Sequence, residues 1–181
     1  LVIQNTQSQE SNGVGGTGVT AQDRASVTIE RAVLDGNRGV GLAAIQAGTI
    51  ISAQNMVIRN TKVQACAEPG FAPACTLGFG DGLLAMGGVD ITLNSFTSTG
   101  NARVGMYFFD ATESAAESVV LNPVTGTPLV TSNGQGSVTG NQIGLNLIGR
   151  QEDITSWLGS IGNFTCKDNQ GTVDGCYDAF A

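Results

Sequence analysis

The sequence predicts an all-β chain folded as a right-handed parallel β-helix, a solenoid of about five coils with a C-terminal cap. Three observations predict it. The first is a recurring skeleton: an Asn in a turn, then a Gly, then an apolar strand. It reads Asp35-Gly36-Asn37-Arg38-Gly39-Val40-Gly41-Leu42, then Gly100-Asn101-Ala102-Arg103-Val104-Gly105-Met106, then Gly140-Asn141-Gln142-Ile143-Gly144-Leu145. Looser copies join Asn60 to Gly82-Leu83 and Asn5 to Gly18-Val19. The second is spacing. Gly18 to Gly41 and Gly82 to Gly105 are both 23 residues, and Asn37 to Asn60 is 23 as well. The remaining gaps between these glycines, 41 and 39, are 23 plus insertions of 18 and 16. Such a unit suits a coil of three short strands and three turns, since helical solenoid repeats run longer, about 33 to 47 residues. The third is a period of two in the strand after each Gly.

That strand comes first in each coil. Its inward face reads Val19/Ala21, Leu42/Ala44, Leu83/Ala85, Met106/Phe108 and Leu145/Leu147, all apolar. A second strand reads Val27-Thr28-Ile29, Ile51 with Ala53, and Val89-Asp90-Ile91, with Val119-Val120-Leu121 as a poorer fourth copy. A third precedes the turn Asn: Val33-Leu34, Val57-Ile58, Phe96-Thr97 and Ser137-Val138. The Gly before the first strand supplies positive φ or close backbone approach. The turn asparagines Asn37, Asn60, Asn101 and Asn141 tolerate the left-handed region and are expected to stack as a hydrogen-bonded ladder.

Residues 1–149 form the expected solenoid, with insertions near 61–79 and 110–136. The pattern stops after Gly149, and residues 150–181 read as a C-terminal capping segment. A solenoid must cover its open end. Trp157, the only Trp, is expected to be the cover.

On the N-x-x-x-G-apolar skeleton (N-x-x-G-apolar at Asn141) and the Val-Thr-Ile strand, residues 1 to about 149 resemble the right-handed parallel β-helix repeat proteins of the pectate-lyase-like superfamily. A looser resemblance is to Gly/Asn-rich repeats of secreted or surface lipoproteins in predatory and gliding bacteria. The first implies the fold. The second implies an extracellular or cell-surface location.

Composition agrees with turn-dense β structure. Of 181 residues 26 are Gly, 41% are hydrophobic and 13% are charged. The net charge of −7 argues against nucleic acid or an anionic membrane as partner, because both reward Lys and Arg. There is no run of 18 apolar residues, so no transmembrane segment is expected. The chain starts at Leu1 in mid-coil and reads as a mature product or an excised fragment of a longer one. Four cysteines fall in two local pairs, Cys66 with Cys75 and Cys166 with Cys176. Local disulfides are the simplest of the three connectivities and imply an oxidising compartment. Zinc is the alternative, which these spacings without His suit badly.

In polysaccharide-cleaving proteins of the resembled fold, substrate lies along the outside of the strand after the Gly, or beside it. Those outward positions are Thr20/Gln22, Ala43/Ile45, Leu84/Met86, Tyr107/Phe109 and Asn146/Ile148, with no carboxylate or base among them. A glycosidase needs two positioned carboxylates. A lyase of the resembled fold implies clustered Asp for calcium with Arg or Lys as base. The nearest acids, Asp81, Asp90 and Asp110, read as solvated turn residues. The chain has no His, which excludes His acid–base chemistry and a Ser-His-Asp triad. No catalytic residue, metal site or cofactor is assigned, and calcium enters only through the lyase alternative.

Ile45, Leu84, Met86, Tyr107, Phe109 and Ile148 form an apolar stripe across four coils. Monomers rarely leave such a patch bare. Cover by the chain's own insertions or cap is the favoured expectation, and a protein partner or self-association is the other. Candidate binding residues are Leu84, Met86, Tyr107, Phe109 and Trp157. The reading is a non-catalytic extracellular or cell-surface structural or adhesive module, whose partner is a protein or a glycan. The alternative is a polysaccharide-binding or polysaccharide-cleaving protein, a lyase or hydrolase. A glycan-binding module would use Tyr107, Phe109 or Trp157 as stacking groups.

Overall fold

Two sheets of parallel strands share the chain, which passes back and forth between them. The computed structural model describes residues 1–7, 15–63, 79–109, 129–132, 136–148, 164–169 and 177–180. The strands are β1 (Val2–Gln4), β2 (Val19–Ala21), β3 (Ser26–Asp35), β4 (Val40–Ile45), β5 (Ile50–Arg59), β6 (Asp81–Met86), β7 (Asp90–Thr99), β8 (Val104–Phe109), β9 (Leu129–Ser132), β10 (Gly136–Thr139), β11 (Ile143–Ile148), β12 (Phe164–Lys167) and β13 (Tyr177–Phe180). The first sheet runs β1-β3-β5-β7-β10-β12, with β9 also on β7. The second runs β2-β4-β6-β8-β11-β13. Every pairing between these strands is parallel. There is no helix among the described residues. The arrangement is compatible with a parallel β-helix or solenoid.

The alternation read from sequence sets the core. Leu42, Ala44, Leu83, Ala85, Met106, Phe108, Leu145 and Leu147 are buried in one continuous cluster with Ala21, and Val19 packs against it. Burying a Leu or Phe side chain contributes about 1.5–3 kcal/mol relative to exposure, so these columns hold the two sheets together.

The expected second and third strands run on as one ten-residue strand in β3, β5 and β7. Each passes a residue in the left-handed region, Arg31 (φ 53°), Asn55 (φ 52°) and Ser95 (φ 55°). That residue shifts the alternation by one position. Ile29 faces the core before it and Ala32 and Leu34 after it; Ile51 and Ala53 give way to Met56 and Ile58.

Two sequence expectations need correction. The fourth copy of the second strand is Leu129–Ser132, paired to Asp90–Leu93; Val119-Val120-Leu121 lies outside the described residues. The third-strand copy in β7 is Thr97-Ser98, one residue later than Phe96-Thr97, because Thr97 pairs with Val57 and Ser98 with Ile58. Phe96 instead aligns with Met56 on one side and Gly136 on the other. A Cβ at Gly136 would strike the Phe96 ring, so the smallest residue accommodates the largest in that column.

Both sheets continue past Gly149. Strand β12 pairs with β10, and β13 with β11.

Candidate functional site

The turn that enters the second sheet carries two stacked columns. In the first, each layer has a residue at positive φ: Asn5, Gly36, Asn60, Gly100, Gly140 and Asp168. In the second, the next residue of each layer turns its side chain inward: Thr6, Asn37, Thr61, Asn101, Asn141 and Asn169. The last five of these are buried.

The second column is a hydrogen-bonded ladder. The Thr6 backbone N–H donates to Asn37 Oδ1 at 3.1 Å, Thr61 N–H to Asn101 Oδ1 at 3.1 Å, Asn101 N–H to Asn141 Oδ1 at 2.9 Å and Asn141 N–H to Asn169 Oδ1 at 3.0 Å. The side-chain amides of Asn101 and Asn141 each donate to the next Oδ1 at 3.0 Å. Buried amides are costly unless hydrogen-bonded, and here each oxygen accepts from the layer before.

Asn37, Asn101 and Asn141 stand in the ladder as expected. Asn60 does not. It is exposed, holds the left-handed position (φ 54°) and donates through Nδ2 to Asp35 at 2.9 Å. Thr61 takes the ladder place. Asn169 is a member the sequence reading missed, because its turn begins with Asp168 where the clearest copies have Gly36, Gly100 and Gly140.

The glycines Gly18, Gly41, Gly82 and Gly105 lie against this ladder. Their role is close approach, not positive φ. A Cβ at Gly82 would lie 2.5 Å from the Gly105 carbonyl and 2.7 Å from Asn101 Nδ2. A Cβ at Gly105 would lie 2.7 Å from the Gly144 carbonyl and 2.8 Å from Asn141 Nδ2.

The outward face of the second sheet carries the apolar stripe. Leu84 is 6% exposed and Ala43 3%, and they form a second small cluster with Val40, against which Ile45, Met86 and Tyr107 pack. Ile45, Met86, Tyr107, Phe109 and Ile148 are half-buried, and none of the six stripe side chains is exposed. Tyr107 and Phe109 rings lie 6.1 Å apart at 58°. Trp157 lies outside the described residues.

Beside the stripe is the one surprise in charge. Asp81 is not a solvated turn residue: its exposure is 0%. It stands in register with Val40, one residue before the Gly, where the neighbouring copies have Val104 and Ile143. Arg103 reaches it bidentately, Nε to Oδ1 at 2.8 Å and Nη2 to Oδ2 at 2.5 Å. The Val104 N–H adds a third bond at 3.3 Å. Burial pushes the Asp81 carboxyl above the usual carboxylate range, against the pull of the guanidinium. Burial also acts downward on Arg103, but the Asp81 bonds outweigh it and hold the guanidinium above its ordinary value. The Arg103 Cζ lies 5.4 Å from the ring centroids of both Phe79 and Tyr107. Phe79 is 39% exposed. Asp90, by contrast, is exposed, and Asp110 lies outside the described residues.

Arg103 and Phe79 are the residues sequence reasoning missed here. The available signal was an acid at a place where other copies of the skeleton carry Val or Ile. Among the described residues no group of three or more His, Cys, Asp or Glu is placed to hold a metal ion. No helix among them is long and apolar enough to cross a membrane. Cys66, Cys75 and Cys176 lie outside the described residues. Cys166 packs against the core, and Asn169 Nδ2 lies 3.7 Å from its Sγ. No protein-family model, curated protein or solved structure matches the chain.

Proposed function

We propose that the chain is a non-catalytic structural or adhesive module of the pectate-lyase-like β-helix type, working outside the cell or on its surface. In this reading the parallel sheets close into a right-handed solenoid of about five coils, and the segment 150–181, expected as a cap, supplies its last layer through β12 and β13. The observation that carries the reading is the side-chain ladder from Thr6 to Asn169. Its amides and the glycines beside it are spent on stacking one layer on the next. The same economy applies to the acid nearest the outward face, since Asp81 has both oxygens engaged by Arg103. A buried carboxylate held this way is a poor general acid or calcium ligand. An oxidising compartment draws support from Cys166, which is not a free thiol. Its local partner in this reading is Cys176, and Cys66 pairs with Cys75.

A rigid rod of this kind presents its insertions, near 61–79 and 110–136, to a protein or glycan at the cell surface. The test separates holding from cutting. The protein is incubated with immobilised neutral and acidic polysaccharides and with protein-coated surfaces. Retention and release of new reducing ends are both measured. Retention without release is expected. Time-dependent release of oligosaccharide would overturn the non-catalytic reading in favour of a lyase or hydrolase.

The glycan-binding alternative has one specific observation in its favour. An exposed ring, Phe79, lies beside a positioned polar side chain, Arg103.

A further inference from the structure

An ion pair buried in an apolar column needs a reason. Neighbouring copies of the skeleton place Val40, Val104 and Ile143 where Asp81 stands, and a pair of charges taken out of water is often no more stable than apolar residues of similar size. What the pair does achieve is geometry. The two bonds from Asp81 fix the plane of the Arg103 guanidinium, and the rings of Phe79 and Tyr107 flank it. Asp81 takes Nε and Nη2. The N–H donors of Nη1 make no hydrogen bond among the described residues, and the Arg103 side chain is 22% exposed.

We infer that Phe79, Arg103 and Tyr107 form a subsite for one sugar ring of an uncharged glycan. The inference deepens the adhesive reading and rests on it. Three features select the ligand class. The exposed Phe79 ring offers a flat apolar surface suited to the C–H face of a pyranose. The Nη1 donors are directional and suit a hydroxyl or ring oxygen. Charge excludes the commoner use of Arg. Asp81 cancels the guanidinium charge at contact distance, and the chain carries −7 overall. An anionic sugar therefore gains little Coulomb attraction here and meets repulsion at longer range. Arg103 acts as a fixed donor fork, with Asp81 as its positioning residue.

The experiment uses the full chain and a Phe79→Ala variant, whose exposed side chain can be removed without opening the core. Binding of cellohexaose, xylohexaose and maltohexaose is measured by calorimetry, with trigalacturonate as the charged comparator. At least one neutral hexasaccharide is expected to bind, with affinity insensitive to salt. Phe79→Ala should weaken it by about tenfold or more, the scale of a contact worth about 1.4 kcal/mol, with an unchanged melting temperature. Absence of neutral binding, equal affinity in the variant, or preferential salt-sensitive binding of trigalacturonate each overturns the inference. Adhesion of both proteins to the coated surfaces separates the two claims. If both adhere equally, the subsite falls and the adhesive reading stands. If neither adheres anywhere, the adhesive reading falls as well.

Discussion

Thr61 donates its backbone N–H to Asn101 Oδ1 at 3.1 Å, yet its own Oγ1 is buried without a hydrogen-bond partner. Thr61 is 1% exposed. Its hydroxyl sits at the ladder level where Asn101, Asn141 and Asn169 each offer an amide oxygen to the layer before. The ladder thus has one gap, with the required Gly41 already beside it.

Filling the gap should stabilise the protein. Thr61→Asn is expected to raise stability by about 1 kcal/mol, the net worth of a typical internal hydrogen bond. For a chain of this size that is a rise of roughly 2–4 °C in Tm. Thermal melting of the variant measures it. An unchanged or lowered Tm would mean that the Thr61 site has no room for the longer amide.

Breaking the ladder should cost more. Asn101→Ala strands the Thr61 N–H away from water, takes from Asn141 Oδ1 one of its two donors while the Asn101 backbone N–H stays, and removes the bond to Ser98 Oγ. A loss of roughly 1–3 kcal/mol is expected, from one buried group left unpaired, read from urea denaturation midpoints. Asn60→Gly should cost well under 1 kcal/mol by this argument, since Asn60 is exposed, outside the ladder and at a φ of 54° that Gly adopts freely. Gly82→Ala should be worse than either, because its Cβ would meet the Gly105 carbonyl, Asn101 Nδ2 and Ser98 Oγ at once.

The contrast between Asn60 and Thr61 shows what the sequence could and could not carry. The 23-residue interval fell on Asn37 to Asn60, and the residue type agreed. Two columns lie side by side at that turn, one needing the left-handed region and one needing an inward side chain. Asn suits both, so identity alone could not choose between them. The apolar face after each Gly was fully legible, because period-two burial leaves no such ambiguity. The strand Leu129–Ser132 was not, because the run Val119-Val120-Leu121 is more hydrophobic and lies nearer the expected spacing. Asp81 was misread for a related reason. An acid next to Gly looks like a turn, and only Arg103, 22 residues later in sequence, makes its burial tolerable.

The Asp81–Arg103 pair makes an asymmetric prediction. Arg103→Leu leaves a fully buried carboxylate without its partner and should cost roughly 3–5 kcal/mol at neutral pH. Asp81→Val restores the side chain found at the same level in β4 and leaves an Arg that can turn towards solvent, so its cost should be much smaller. The double variant Asp81→Val with Arg103→Leu should recover most of the loss. Denaturant midpoints of the three proteins decide it. Equal cost for the two single changes would show that the pair is not a buried-charge device.

Acid should act on the two aspartates with opposite sign. The Asn60 side-chain bond, then Arg59, holds the Asp35 carboxyl below its usual value. Arg59 Nη2 lies 2.8 Å from it. Its contribution is present above the ordinary aspartate pKa of about 4 and is lost as pH falls through the lowered value. Asp81 is shifted upward by burial. Its protonation is favoured in the fold, so its contribution falls as pH rises through the raised value. Asp35→Asn should therefore flatten the loss of stability below about pH 4. Melting curves from pH 2 to pH 6 check this, and an unaltered acid limb would remove Asp35 from the account.

The most direct test of the central claim is amide hydrogen exchange along the ladder. The turn amides of Thr61, Asn101 and Asn141 hydrogen-bond one layer to the next as a single spine. Their N–H groups should then be among the slowest in the chain and should exchange together, through a single opening that responds to denaturant like global unfolding. Fast or independent exchange at these three amides would contradict the spine, and with it the reading of the chain as a rigid presenting rod.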